Sequence, residues 1–256
     1  MIFCMRSIFV LFFVLMAGSS SAFFPSASEI ASRVQNQYEG LKSYQVSMEA
    51  NATLGQATIH FWWDRQRWRR EWVQQKDPQP VLQRVALGEG GRVDALLPQA
   101  RTVPAPLLVL WQDAELLSRW RQIGVFTEAK RYAFWGQRPC VVLGNVSATH
   151  GKRTEIWVDA ERWVVLRLVW GQGGSVSFAK YHNVGNFLLP HHIEVTDSQG
   201  TNCRIALRWQ GVNTQLPSRL FEAAALRTQY GEAAFPEGVS APVFNWLQNV
   251  LPRIAR

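Results

Sequence analysis

The stretch Ala57-Thr-Ile-His-Phe-Trp-Trp-Asp64, Arg65-Gln66, Arg67-Trp-Arg-Arg-Glu-Trp-Val-Gln-Gln75 carries the most structural information in this chain. A two-residue turn at Arg65-Gln66 fixes the register of the strands on either side. Asp64 then faces Arg67, Trp63 faces Trp68, Trp62 faces Arg69, Phe61 faces Arg70, His60 faces Glu71 and Ile59 faces Trp72. Alternation sorts these pairs onto two faces. One face carries Ile59, Phe61, Trp63, Trp68 and Trp72, with Arg70 as its one charge. The other reads as a solvent face: Asp64–Arg67 and His60–Glu71 are opposite-charge pairs, and Arg69 lies across from Trp62. Cross-strand ion pairs contribute roughly 0.2–1 kcal/mol each, and an exposed Arg–Trp contact about 0.5–1 kcal/mol. One register satisfies both faces. The turn itself lacks the Gly or Asn that tight hairpins prefer.

The flanking sequence continues the pattern. Apolar alternation bounded by turn residues predicts strands at 44–54, 57–64, 67–75, 81–87, 92–97, 131–135, 139–145, 153–158, 164–170, 175–181, 191–196 and 202–209. Before them, Ser26 and Glu29 have capping-box spacing, and Ile30, Val34, Tyr38 and Leu41 recur at helical spacing up to Gly40. A second helical interval opens at Pro104 and Pro106 and closes at Gly124. Residues 216–230 read as mixed loop and helix, and Val243 to Ile254 as a short amphipathic tail. Without repeats or a clear linker, twelve strands and two or three helices indicate one mainly β (α+β) domain. Its core would be a strongly curved antiparallel sheet.

Residues 1–22 read as a cleaved signal peptide: Arg6, an apolar run from Ile8 to Ala17, then Ser20 and Ala22 at the −3 and −1 positions. The run is shorter than the ~20 residues a spanning helix needs. Leu15-Met16-Ala17-Gly18 resembles a lipidation signal, but Ser19 stands where the lipidated cysteine is required. The domain would therefore be Phe23–Arg256, released into the periplasm. The net charge of +8 favours anionic partners, and export argues against nucleic acid among them. Cys140 and Cys203 each lie in a predicted strand beside apolar residues. They are either a disulfide or two buried thiols.

The chain holds twelve tryptophans, and two readings of the bulky hairpin face stand. It is ordinary core under the helices, or it is the wall of an apolar cavity that contacts acyl chains. In the second reading Ile59, Phe61, Trp63, Trp68 and Trp72 line the cavity with Trp157 and Phe178. Arg70 is its polar anchor, able to hold a carboxylate or phosphate.

Three local patterns resemble the periplasmic outer-membrane lipoprotein carrier superfamily (LolA-like) over roughly residues 27–222. They are the helix ending Tyr38-Glu-Gly-Leu-Lys-Ser-Tyr44, the Gly55–Trp72 hairpin, and the closing run from Asn186-Phe-Leu-Leu-Pro190 through Arg204–Trp209 to Leu220-Phe221. The resemblance implies a half-open barrel with two or three helices as a lid, no cofactor, and a monomer. It implies a carrier that takes lipoprotein acyl chains or lipid from an inner-membrane donor complex to an outer-membrane acceptor. It also implies a cargo-releasing role for Arg65, which matches the family's turn arginine, although Gln66 follows where the family has proline.

Signals for enzymes are weak. There is no Gly-x-Ser-x-Gly, His-Glu-x-x-His or Walker loop. His191 and His192 are adjacent, so a strand points them to opposite faces and away from a shared metal. The alternatives to a carrier are a periplasmic sensor of the RseB type, binding a lipoprotein signal and a membrane partner, and a lipid-modifying hydrolase.

Overall fold

A computed structural model describes residues 24–52, 55–65, 67–74, 81–89, 92–95, 115–145, 154–170 and 173–230. The proposed signal peptide, the start of the second helical interval and the C-terminal tail lie outside them. Three α-helices are described: α1 (Ala27–Asn36), α2 (Leu116–Gln122) and α3 (Ala223–Tyr230), with a 3-10 turn at Ser218–Phe221 before α3. The strands are β1 (Ser43–Ala52), β2 (Gly55–Asp64), β3 (Arg67–Gln74), β4 (Val81–Glu89), β5 (Arg92–Ala95), β6 (Lys130–Trp135) and β7 (Arg138–Leu143). They continue as β8 (Glu155–Asp159), β9 (Val165–Trp170), β10 (Gly174–Ala179), β11 (His182–Val184), β12 (Phe187–Leu189), β13 (His192–Thr196) and β14 (Asn202–Val212).

Twelve of these strands form one antiparallel sheet in the order β5-β4-β3-β2-β1-β14-β13-β10-β9-β8-β7-β6. They are the twelve strands expected from alternation, with ends displaced by a few residues. The short β11–β12 hairpin was not expected. It forms outside the main sheet, between β10 and β13. The sheet is not closed: β5 and β6 are its two edges.

Curvature follows from the core. Inward side chains of β3, at one end, and of β7, near the other, belong to a single buried cluster. Eight strand spacings laid flat would separate them by about 38 Å. A helix of ten residues, as α1 is, spans about 15 Å. One cluster beneath such short helices therefore requires the sheet to curl. Bulges in the β1–β14, β3–β4 and β8–β9 ladders supply local bends.

Helices α1 and α2 lie side by side on the concave face. Ser26 Oγ caps α1 by accepting from the Glu29 amide at 3.1 Å. Ile30, Ala31 and Val34 of α1 and Leu116 and Trp120 of α2 are buried against the sheet. Helices of this length are marginal alone, so it is the packing that holds them.

The cysteines are both free and both buried. Cys140 is on β7 and Cys203 on β14, five strands apart in the sheet. That separation is far beyond the ~7 Å Cα limit of a disulfide, which corrects the pairing reading. Burial raises both thiol pKa values, that of Cys203 to about 11. Neither thiol should react with a maleimide at neutral pH in the native protein, and both should react after unfolding. Mass spectrometry of the unreduced, alkylated protein checks this; rapid native labelling, or no labelling after unfolding, would refute the arrangement.

Candidate functional site

The β2–β3 hairpin has the register that its sequence dictates. Asp64 faces Arg67, Trp63 faces Trp68, and the pairing runs unbroken to Ile59–Trp72. Arg65, at the turn, adopts a left-handed φ of 58°, the conformation a tight hairpin turn asks for where Gly or Asn is absent. Its amide donates to the Lys42 carbonyl at 2.8 Å. Arg65 is thus an exposed turn residue, away from the apolar face.

The inward row is buried throughout: Ile59, Phe61, Trp63, Trp68 and Trp72 are at most 5% exposed. Tyr44 of β1 joins it, stacked on Trp63 at 5.1 Å between ring centroids and edge-on to Trp209 at 5.3 Å. Tyr44 escaped the sequence reading, although its pairing with Trp63 follows from extending the same alternation into β1. Phe178 of β10 faces the same interior through Ile193, which pairs in turn with Ile205. Trp157 does not. It pairs with Arg167 and Val142 and stands on the convex side, edge-on to Trp135 at 6.2 Å. The concave residues of β8 are its neighbours Ile156 and Val158, so parity removes Trp157 from the lining set.

Arg70 is a buried charge on this inner face, 6% exposed. Its pairs across the sheet are Phe61 and Ala86. Its guanidinium lies 4.9 Å from the Trp72 ring centroid and 5.7 Å from that of Trp68. Desolvated cation–π contacts are worth about 2 kcal/mol or more, which offsets part of the cost of burying the charge.

The opposite face of the hairpin is not the solvent face expected from its charges. The segment from Ser218 to Tyr230 crosses it, and Leu226 of α3 packs on Val85 and Leu87 of β4. Beneath that cover Arg69 is 2% exposed and ion-paired with Glu71. Tyr230 Oη donates to Glu71 and accepts from Arg69 Nη2 at 2.9 Å. Arg69 also lies 4.9 Å from the Trp62 ring centroid. Burial pulls the Arg69 pKa down, and burial pushes that of Tyr230 up. The solvent-exposed part of this face is the Arg67–Asp64 pair at 2.7 Å.

Among the described residues, two recesses lie elsewhere, at strand ends. One, of about 630 Å³, is lined by polar residues including Asn51, Thr201 and Arg204. The other, of about 270 Å³, is lined by Lys130, Arg131 and their neighbours. The apolar interior is filled by the helices, so the concave face is present but covered.

A twelve-stranded open half-barrel with two short helices across its concave face is a known architecture. The fold is LolA-like. A LolA superfamily protein of Nitrosomonas europaea matches 78% of this chain and 98% of its own, with a TM-score of 0.50 and 12% identity. A DUF1329 family protein of Desulfovibrio piger covers 78% of this chain and 97% of its own at a TM-score of 0.47 and 10% identity. A chain of the Pseudomonas aeruginosa MucA/MucB complex covers 78% and 62%, at 0.35 and 13%. No protein-family profile and no curated protein matches the sequence. At these identities the LolA-like likeness is one of architecture.

The buried Arg69–Glu71 pair gives a stability prediction. Glu71→Gln leaves the Arg69 charge buried without its counter-ion, and urea unfolding should register a loss of about 3–5 kcal/mol. Arg69→Met combined with Glu71→Leu should recover most of it. A Glu71→Gln protein as stable as the wild type would mean that Arg69 is solvated in solution.

Proposed function

We propose that this protein is an exported, periplasmic carrier without enzymatic activity that binds the acyl chains of lipid or lipoprotein against the concave face of its half-barrel. The observation that carries the reading is the apolar inner face, from Trp68 to Phe178, closed among the described residues by the short helices α1 and α2. Displacing those helices exposes a groove lined by that face, with Arg70 among its buried residues. An acyl chain replaces the apolar contacts of Ile30, Val34, Leu116 and Trp120 in kind. Its carboxylate or phosphate end meets Arg70. An inner-membrane donor and an outer-membrane acceptor are the partners such a carrier requires. A cleaved segment 1–22 ahead of one domain, 23–256, agrees with that route.

Organic extraction of the protein purified from its host, followed by mass spectrometry, should recover acyl lipid or lipoprotein. In a titration with a fluorescent fatty acid, Trp63→Ala with Trp72→Ala should weaken binding at least about tenfold, or 1.4 kcal/mol. Glu194→Ala with Arg204→Ala, an exposed ion pair on the convex side, should leave it unchanged. A protein that carries no lipid and refuses the probe would return the inner face to ordinary core.

A further inference from the structure

Among the described residues the exposed large apolar side chains are Phe134 (71%), Tyr132 (53%), Phe126 (46%) and Trp135 (37%). All four fall within ten residues, on edge strand β6 and the loop before it. The Tyr132 ring packs at a tilt against Phe24, 4.4 Å between centroids, which extends the patch to the start of α1. Between Leu116 and Arg138 the chain carries Arg119, Arg121, Lys130, Arg131 and Arg138 against one acid, Glu128, although Arg131 is ion-paired with Glu155 of β8 at 2.9 Å. Lys130 and Arg131 line the recess at the end of β6, and the Lys130 ammonium lies 5.5 Å from the Phe24 ring centroid. Arg167 covers the convex side of Trp135 at 4.5 Å.

We propose that the β6 edge docks on the surface of a bilayer containing anionic phospholipid. Rings interleaved with cations of one sign are the composition that partitions to the headgroup layer: aromatic side chains take the boundary, and Lys and Arg take the lipid phosphates. The patch surrounds the strand rather than running along it. Phe126 lies outside β6, Tyr132 and Phe134 extend the concave face, and Trp135 lies on the convex one. A peptide adding to the edge would engage the line of β6 main-chain groups and leave Phe126 bare. Docking edge-on covers rings on both faces, and the hydrated headgroup layer satisfies the edge amides. The patch lies at the exposed β6 edge, beyond the buried stretch of the inner face from Trp68 to Phe178, and does not depend on what that stretch holds.

The test is co-sedimentation of the protein, as isolated from its host, with phosphatidylcholine vesicles containing or lacking phosphatidylglycerol. Binding should require the anionic lipid and weaken as salt rises. Tyr132→Ser with Phe134→Ser, both surface changes, should weaken binding at least about tenfold, and Lys130→Gln should weaken it less. Both variants should keep the wild-type affinity for a soluble fluorescent fatty acid, and Trp63→Ala with Trp72→Ala should keep vesicle binding. Failure of acyl binding and failure of docking are thereby distinguishable. Three outcomes overturn the proposal: no vesicle binding by the wild type, undiminished binding by the serine variant, or wild-type self-association that the serine variant abolishes in analytical ultracentrifugation.

Discussion

Alternation across the β2–β3 ladder sends Trp63, Phe61, Ile59, Trp68 and Trp72 to one side of a sheet only one residue thick. So much ring volume on one face cannot be covered by a flat neighbour. The sheet has to wrap around it, and the wrap has to be capped. Inward rows of β1, β14, β13 and β10 continue the same parity, from Tyr44 to Phe178. A slip of one residue at Arg65 would turn every one of these side chains outward. The left-handed turn residue and its bond to Lys42 therefore matter beyond their own energies.

Much of this was legible in the sequence because a strand's period is short and its pairing local. The register of β2 and β3, and the burial of its apolar row, need no information from outside residues 57–75. Trp157 shows the limit of composition as a guide: its ring suggests a lining residue, but Ile156 and Val158 beside it fix its parity on the other face. The cover over Arg69 and Glu71 was not legible in the same way. It depends on Leu226 and Tyr230, about 160 residues downstream, in a helix whose burial rests on a single leucine. Nor could alternation separate the cysteines. It gave each a buried strand position but not the strand order, and the order is what keeps them apart.

The two covers differ in kind. Over the convex side of the hairpin, α3 is held by a charged network with tightly specified geometry, which is costly to open piecemeal because it would strand a buried ion. Over the concave side, α1 and α2 present aliphatic and indole surfaces that any apolar guest could replace. In the proposed carrier the helices would thus form a permanent cover on one face and an exchangeable one on the other.

That difference bears on how a carrier could release what it holds. Burying Ile30, Val34, Leu116 and Trp120 against the sheet stabilises the closed state by about 6–12 kcal/mol, at roughly 1.5–3 kcal/mol for each side chain. An acyl chain of about fifteen methylenes gains about 12 kcal/mol on leaving water. Exchanging one for the other is close to balanced, whereas an empty, water-filled groove would hold its guest by the full transfer energy. A lid that competes with the cargo lowers affinity without removing the site. It also hides the apolar face between cargoes, when exposing it would invite aggregation. In the proposed carrier an anion contact at Arg70 would supply orientation, since Trp68 and Trp72 flank its guanidinium.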